Sequence, residues 1–317
     1  MLINADKVTQ WKKDVQASVD MYNAWFLQFA PITYRQSRVS ATAEVKETFR
    51  LMQDLRDINH KSLRAAPEVL TTLRMCTAPP LARDRLVGFS STKKHLILSL
   101  ERGKLPPKMH EKELEASLKR ICDTIVSLLD MDIFPWLTSN TPPQDEDRAR
   151  AATIVADRLT GAVYDPVIRN VQEIRQLEKI QSYLENLGYE LRNPVPGSDP
   201  RDIKQGTFCF RYNITANLGN RTVSIPIDVL IQPKELRKDK MPILIECKSA
   251  GDFTNPNKRR KEEAAKVRQL KETFGDETTL YLFLCGYFDT GYLGYEAAEG
   301  LDWIWEHRID DLMKLGL

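Results

Sequence analysis

Residues 224–250 read SIPIDVLIQPKELRKDKMPILIECKSA, two apolar runs separated by a polar loop rich in Pro and Lys. This is the pattern of two consecutive strands, Val223 to Ile231 and Ile243 to Cys247. The first carries a single charge, Asp228, and the second runs into Glu246 and Lys248. Side chains alternate along a strand, so Glu246 and Lys248 share a face while Cys247 points the other way, into packing. A lone ionised carboxylate in an apolar strand is costly unless a cation or hydrogen bonds compensate. Adjacent strands bring Asp228 and Glu246 side by side, where mutual repulsion invites a divalent ion, and hard oxygen donors suit Mg²⁺. Such an ion binds a phosphate oxygen and a water, offsets transition-state charge and lowers the pKa of the attacking water. Lys248 then positions that water and neutralises the scissile phosphate. An ExK triplet alone is a weak signal; its place at the end of an apolar strand, after a strand with one acid, strengthens it. The plainer alternative is a solvated sheet edge, with Asp228 capping a turn, and it accounts for the same residues.

Working outward, Arg169 to Leu187 has helical spacing and meets Gly188, a preferred helix stop. Positions 173, 177, 180, 184 and 187 share one face, apolar except for Glu173 at its start. Glu173 is either a further ligand to metal or water, or a charge favoured by the dipole of a first helical turn. A strand covers Thr207 to Ala216. Downstream, a helix covers Lys258 to Phe274, with Glu263, Val267, Leu270 and Phe274 at helical spacing. The apolar run LYLFLCGYF, Leu280 to Phe288, predicts a strand covered on both faces and paired in parallel. A final helix from Tyr295 to Lys314 takes Trp303 and Trp305 as packing residues. The order is α, β, β, β, α, β, which predicts a mixed sheet flanked by helices, of α+β or α/β class.

The first 137 residues read as successive helices, for example Ala43 to Arg56 and Glu111 to Leu129. Between Thr138 and Asp147 the chain is polar, with two prolines and three acids. These features predict a helical domain over 1–137, for DNA recognition or dimerisation, a linker over 138–148 and a second domain over 149–317.

A chain of 317 residues, 42% of them hydrophobic, can bury a sizeable core. The 46 Lys and Arg against 44 Asp and Glu leave a net charge of +2, so an anionic partner must be argued from local patches. Five dispersed cysteines without a CxxC pair suggest neither a disulfide framework nor a zinc ribbon, and fit a reducing cytoplasm. The first residues lack the apolar core of a secretory signal, and no run approaches a membrane span, so a cytoplasmic protein without membrane contact is expected. His60, His95, His110 and His307 are isolated, which disfavours histidine-based nuclease and zinc chemistry.

Residues 258–271 hold seven Lys or Arg and two Glu, a local net charge of +5 directly after the acid-bearing strand. Lys258, Arg259, Arg260 and Lys261 suit a phosphate backbone, the more so because cations at a helix start oppose its dipole. Asn255 and Asn257 suit either a helix cap or adenine edges. Arg83 and Arg85, in the proline-containing segment Cys76 to His95, suit a DNA-facing loop or a helix junction about equally.

Asp228 with Glu246-Cys247-Lys248 resembles the PD-(D/E)xK nuclease signature, here with Pro226 one residue further from the acid than usual. More specifically, TLRMCTAPPLARDRLVG (72–88), VADRLTGAV (155–163), IECKSAGDFTNPNKRRKEEAAK (245–266) and LFLCGYFDTGYLGYEAAEGLDWIWEHRIDDL (282–312) resemble the XamI family of Type II restriction endonucleases, and are similar also to SalI-like enzymes. The resemblance implies a PD-(D/E)xK nuclease core and Mg²⁺-dependent cleavage of double-stranded DNA at a short palindrome, GTCGAC among family members. It implies catalysis by Asp228, Glu246 and Lys248, with metal held by Asp228, Glu246 and the backbone carbonyl of Cys247; Glu173 remains the further catalytic candidate offered by the helical stripe. A homodimer whose two-fold axis matches the site is implied, as is a cognate DNA methyltransferase that protects the host. Two other readings share these residues in part: a same-fold nuclease of repair or modification-dependent role, and a non-catalytic DNA-binding regulator.

Overall fold

In a computed structural model the described residues are 2–139, 141–218, 221–235 and 241–317, with the side chains of 163–166, 168, 169, 218 and 255–261 excluded. The elements in chain order are α1 (Val8–Leu51), α2 (His60–Ala65), α3 (Leu70–Met75), α4 (Arg83–Ser90), α5 (Lys94–Leu100), α6 (Glu111–Ser127) and α7 (Asp145–Asn186). They continue as β1 (Glu190–Leu191), β2 (Thr207–Leu218), β3 (Arg221–Gln232), β4 (Ile243–Ala250), α8 (Thr254–Phe274), β5 (Leu280–Gly286), α9 (Thr290–Ala298) and β6 (Asp302–Trp305), with a 3-10 run over Glu306–Leu315. Among the described residues no helix is long and apolar enough to cross a membrane.

The chain forms two compact units, 30–167 and 1–29 with 168–317. This division differs from the expected 1–137, 138–148 and 149–317. Its boundaries fall inside the continuous helices α1 and α7, where no shift in composition marks them. The polar stretch predicted as a linker lies within the first unit, and its last residues, from Asp145, already belong to α7.

The unit 30–167 is helical. In α6, Leu114, Leu118, Ile121 and Ile125 recur at three- and four-residue spacing and are all buried. They join Phe49, Leu63, Leu73, Ile97, Phe134, Trp136 and Val155 in one core. The helix predicted to reach Arg56 ends at Leu51, because Gln53, Asp54 and Leu55 take left-handed backbone angles. Arg148 fixes that turn through two hydrogen bonds of 2.9 Å to the Asp54 carboxylate.

The unit 1–29 with 168–317 is built on one six-stranded sheet in sequential order β1 to β6. Strands β2, β3 and β4 are antiparallel, whereas β4, β5 and β6 run parallel, so the predicted mixed sheet is present. One face, with Ile227, Leu244, Leu282, Trp303 and Trp305, packs on Val267 and Leu270 of α8 and Leu293 of α9. The other, with Val229, Ile245, Phe283 and Ile304, packs on Leu177, Ile180 and Leu184 of α7. Both faces of β5 are buried, as its unbroken apolar run requires. Gly188 follows α7 with φ +79°, the left-handed stop expected there.

The predicted terminal helix from Tyr295 to Lys314 is replaced by α9, β6 and the 3-10 run. Gly300, at φ +81°, turns the chain out of α9, and residues 302–305 pair in parallel with β5. Trp303 and Trp305 are packing residues, fully buried, but on a strand.

Candidate active site

Strands β3 and β4 pair from Ile231 opposite Ile243 to Val229 opposite Ile245, and the ladder ends there. Asp228 and Glu246 are the next residue on each strand and stand at the opening of a fork. Without a backbone partner across the fork, the Cys247 N–H donates to Asp228 Oδ2 at 2.8 Å. Two residues earlier on β3, the Pro226 carbonyl accepts from Lys266 Nζ at 3.0 Å. Main-chain N and O of a strand residue point to the same side, so proline is tolerated where no ladder bond is needed.

Glu246 and Lys248 share the face of β4 that α8 covers, and α8 returns an oppositely ordered pair, Glu263 and Lys266. Lys248 Nζ lies 3.1 Å from Glu246 Oε1 and 2.8 Å from Glu263 Oε1. Lys266 Nζ lies 2.8 Å from the same oxygen, Glu246 Oε1. The second oxygens, Glu246 Oε2 and Glu263 Oε2, are buried with no hydrogen-bond partner. Unsatisfied buried carboxylate oxygens are costly and mark a place for a bound group.

Burial, and then the neighbouring Glu246 carboxylate, push the Asp228 carboxyl up to about 6, against the Cys247 N–H and the two lysines, which lower it. Burial works against the charge of Lys248, but the Glu246 and Glu263 carboxylates outweigh it and hold its pKa above the ordinary lysine range. Glu296 of α9, fully buried, is pushed up to about 8 by burial and then by Glu263, with the Tyr292 hydroxyl acting in the opposite sense. Burial, then Asp228 and Glu246, raise the Cys247 thiol well above its usual range. Cys247 packs with the α7 face of the sheet, as predicted, and the described cysteines are all free thiols.

Among the described contacts Glu173 meets none of these carboxylates and lysines, although its charge adds to the upward push on the Cys247 thiol. It sits deep within α7 rather than in a first helical turn, and Arg211 of β2 donates to its carboxylate at 2.9 Å. Arg211 has a left-handed φ of +52° between Phe210, paired with Val229, and Tyr212, paired with Ile227. Such backbone in a long side chain costs about 1–3 kcal/mol and tends to occur at functional sites. Among the described residues no three His, Cys, Asp or Glu side chains gather into a metal-binding group.

Of the predicted DNA-facing residues, Asn255, Asn257, Lys258, Arg259, Arg260 and Lys261 have side chains outside those described. Their backbone lies inside α8, which begins at Thr254 rather than Lys258. The helix has Phe253 at its N-cap position with no side-chain cap hydrogen bond, so Asn255 and Asn257 lie past the cap; just before it, the Asp252 carboxylate accepts from the Thr254 N–H at 2.8 Å. In the helical unit, Arg83 donates to Glu101 at 2.6 Å and Arg85 is exposed on α4. The sequence reading missed Glu263, Lys266, Glu296 and Arg211 as site residues. Glu263 on an otherwise apolar helical stripe was the available signal, since a charge there must find a buried partner.

The chain matches the family model described as XamI restriction endonuclease over residues 53–305. It is 50% identical over 315 residues to the Type II restriction enzyme SalI of Streptomyces albus G, covering 99% of this chain and 100% of that protein. It is 25% identical over 193 residues to the Type II restriction enzyme XamI of Xanthomonas campestris pv. amaranthicola, covering 61% of this chain and 62% of that protein. A solved Vibrio cholerae protein has a TM-score of 0.28 at 15% identity, covering 80% of this chain and 55% of its own, and carries no argument.

Proposed function

The chain belongs to the XamI restriction endonuclease family and is a Type II restriction endonuclease; on that premise we propose that it hydrolyses both strands of double-stranded DNA at a short palindrome, GTCGAC, with Mg²⁺, through a PD-(D/E)xK centre. The observation that carries this reading is the fork between β3 and β4, where a half-buried Asp228, a buried Glu246 with an unpartnered oxygen, and Lys248 meet. The succession β2, β3, β4, α8, β5 after α7, with only the two-residue β1 added before it, supports the same core.

The donors fit a hard divalent ion: Asp228 and Glu246 by their carboxylates, with the Cys247 carbonyl as a third oxygen. An ion bound there supplies Lewis acidity and a water of lowered pKa. Asp228, its Oδ2 fixed by the Cys247 N–H, is held in one orientation. Lys248, charged and braced between two carboxylates, presents an ammonium that orients the attacking water and balances charge on the scissile phosphate. Partial burial of the fork, with Glu246 and Glu263 buried, limits competing water and strengthens these interactions. Glu173 takes a lesser role, since Arg211 engages its carboxylate.

The basic start of α8, residues 258–261, follows directly from the site and is assigned to the phosphate backbone, with Asn255 and Asn257 toward base edges and Arg83 and Arg85 as outlying contacts. A palindromic target implies a homodimer, and a cognate methyltransferase protects host DNA in the cytoplasm.

The test is incubation of the purified protein with unmethylated phage DNA in Mg²⁺ or in EDTA, read on a gel. Discrete bands in Mg²⁺ alone, with ends mapping to GTCGAC, are expected. Bands mapping elsewhere overturn the sequence assignment, and intact DNA in both lanes overturns the catalytic reading.

A further inference from the structure

Glu246 is approached by two ammonium groups at a single oxygen. Lys248 has a second carboxylate, Glu263, to hold it in place. Lys266 has Glu246 as its one carboxylate among the described ion pairs, and its remaining bond goes to the Pro226 carbonyl, two residues before Asp228. Its ammonium thus rests against both strands that carry the metal donors. The Lys266 side chain is 20% exposed, so solvent screens its charge poorly.

Resting on the assignment of Asp228 and Glu246 as metal donors, we propose that Lys266 is a built-in cation that competes for Glu246 and restricts the centre to one divalent ion, bound through the other oxygen of Glu246. Three carboxylates, Asp228, Glu246 and Glu263, face two ammoniums here. The net charge of −1 is reversed by one divalent ion, and a second would add two further positive charges beside two fixed ones. The buried, unpartnered Glu246 Oε2 is the oxygen left for that single ion. Lys266 is a positioning residue in this scheme, acting on the ion through Glu246.

The experiment is a Mn²⁺ titration of the full chain without DNA, with free Mn²⁺ read by electron paramagnetic resonance. The proteins are wild type, Lys266→Met, Lys266→Arg and Asp228→Asn, with folding checked by circular dichroism and Lys266→Gln replacing Lys266→Met should the latter not fold. Wild type and Lys266→Arg are expected to bind at most one ion per chain. Lys266→Met is expected to bind Mn²⁺ at least tenfold more tightly or to take a second ion, and Asp228→Asn to lose binding. A folded Lys266→Met that matches wild type in affinity and number, while Asp228→Asn loses binding, overturns this inference alone. Binding unchanged in Asp228→Asn, or absent from every protein including Lys266→Met, overturns the metal assignment and this inference with it.

Discussion

The ammonium of Lys248 on β4 lies 2.8 Å from a carboxylate oxygen of Glu263 on α8, a side chain only 3% exposed. The lysine proposed as catalytic is therefore held by a helix that follows it in sequence, and not only by its own strand. Glu263→Gln keeps the shape and removes the charge, leaving Lys248 with Glu246. We expect single-turnover cleavage to fall roughly 10- to 100-fold, within the range of a lost catalytic hydrogen-bonding group. DNA affinity in a gel shift with Ca²⁺ should stay within threefold of wild type, by the order-of-magnitude insulation of backbone contacts from this buried pair.

Asp228→Asn should abolish cleavage and stabilise the metal-free fold. Burial and Glu246 raise the Asp228 pKa above its ordinary value. The folded state therefore binds the proton more tightly than the unfolded state, and the stability so gained is present at low pH and lost as pH rises through about 6. Thermal unfolding in EDTA should show the variant melting above wild type near neutral pH, with the gap closing in acid. A variant that melts below wild type in both conditions contradicts the stated cost of the buried charge.

Glu296 offers a second window. Its folded pKa of about 8 exceeds the ordinary glutamate value, so its contribution to stability is complete in acid and disappears as pH rises through about 8. Glu296→Gln should flatten the decline in urea midpoint across that range. A slope equal to that of wild type places the titrating group elsewhere.

Glu173→Ala and Arg211→Ala separate structure from chemistry on the opposite face of the sheet. With its carboxylate held 2.9 Å from Arg211, Glu173 is an exposed ion pair worth about 0–1 kcal/mol to stability. Loss of less than about tenfold in cleavage is expected for Glu173→Ala, the scale of a group outside the metal centre. A loss as severe as that of Asp228→Asn puts Glu173 on the metal instead.

Much of this was legible in the residues themselves. The apolar runs of β3, β4 and β5 and the charges within them follow from the two-residue period of a strand, which any sequence displays directly. Asp228, Glu246 and Lys248 stood out because burying a charge needs a reason. Residues 302–305 did not disclose their strand, because a short apolar run fits a buried helix as well as a buried strand. Only pairing with β5 decides between them. The division into two units was equally silent, since its boundaries lie inside unbroken helices.

The sequence by itself determined strands β2 to β5, the acids and the lysine, because periodicity and the cost of buried charge are local properties. The tertiary structure decided that the β3–β4 ladder stops one pair short of the acids, that α8 returns Glu263 and Lys266 to Lys248 and Glu246, and that Arg211 takes Glu173. These contacts join residues separated by some 15 to 40 positions. They depend on where strands diverge and helices dock, which packing of both sheet faces settles and local spacing does not.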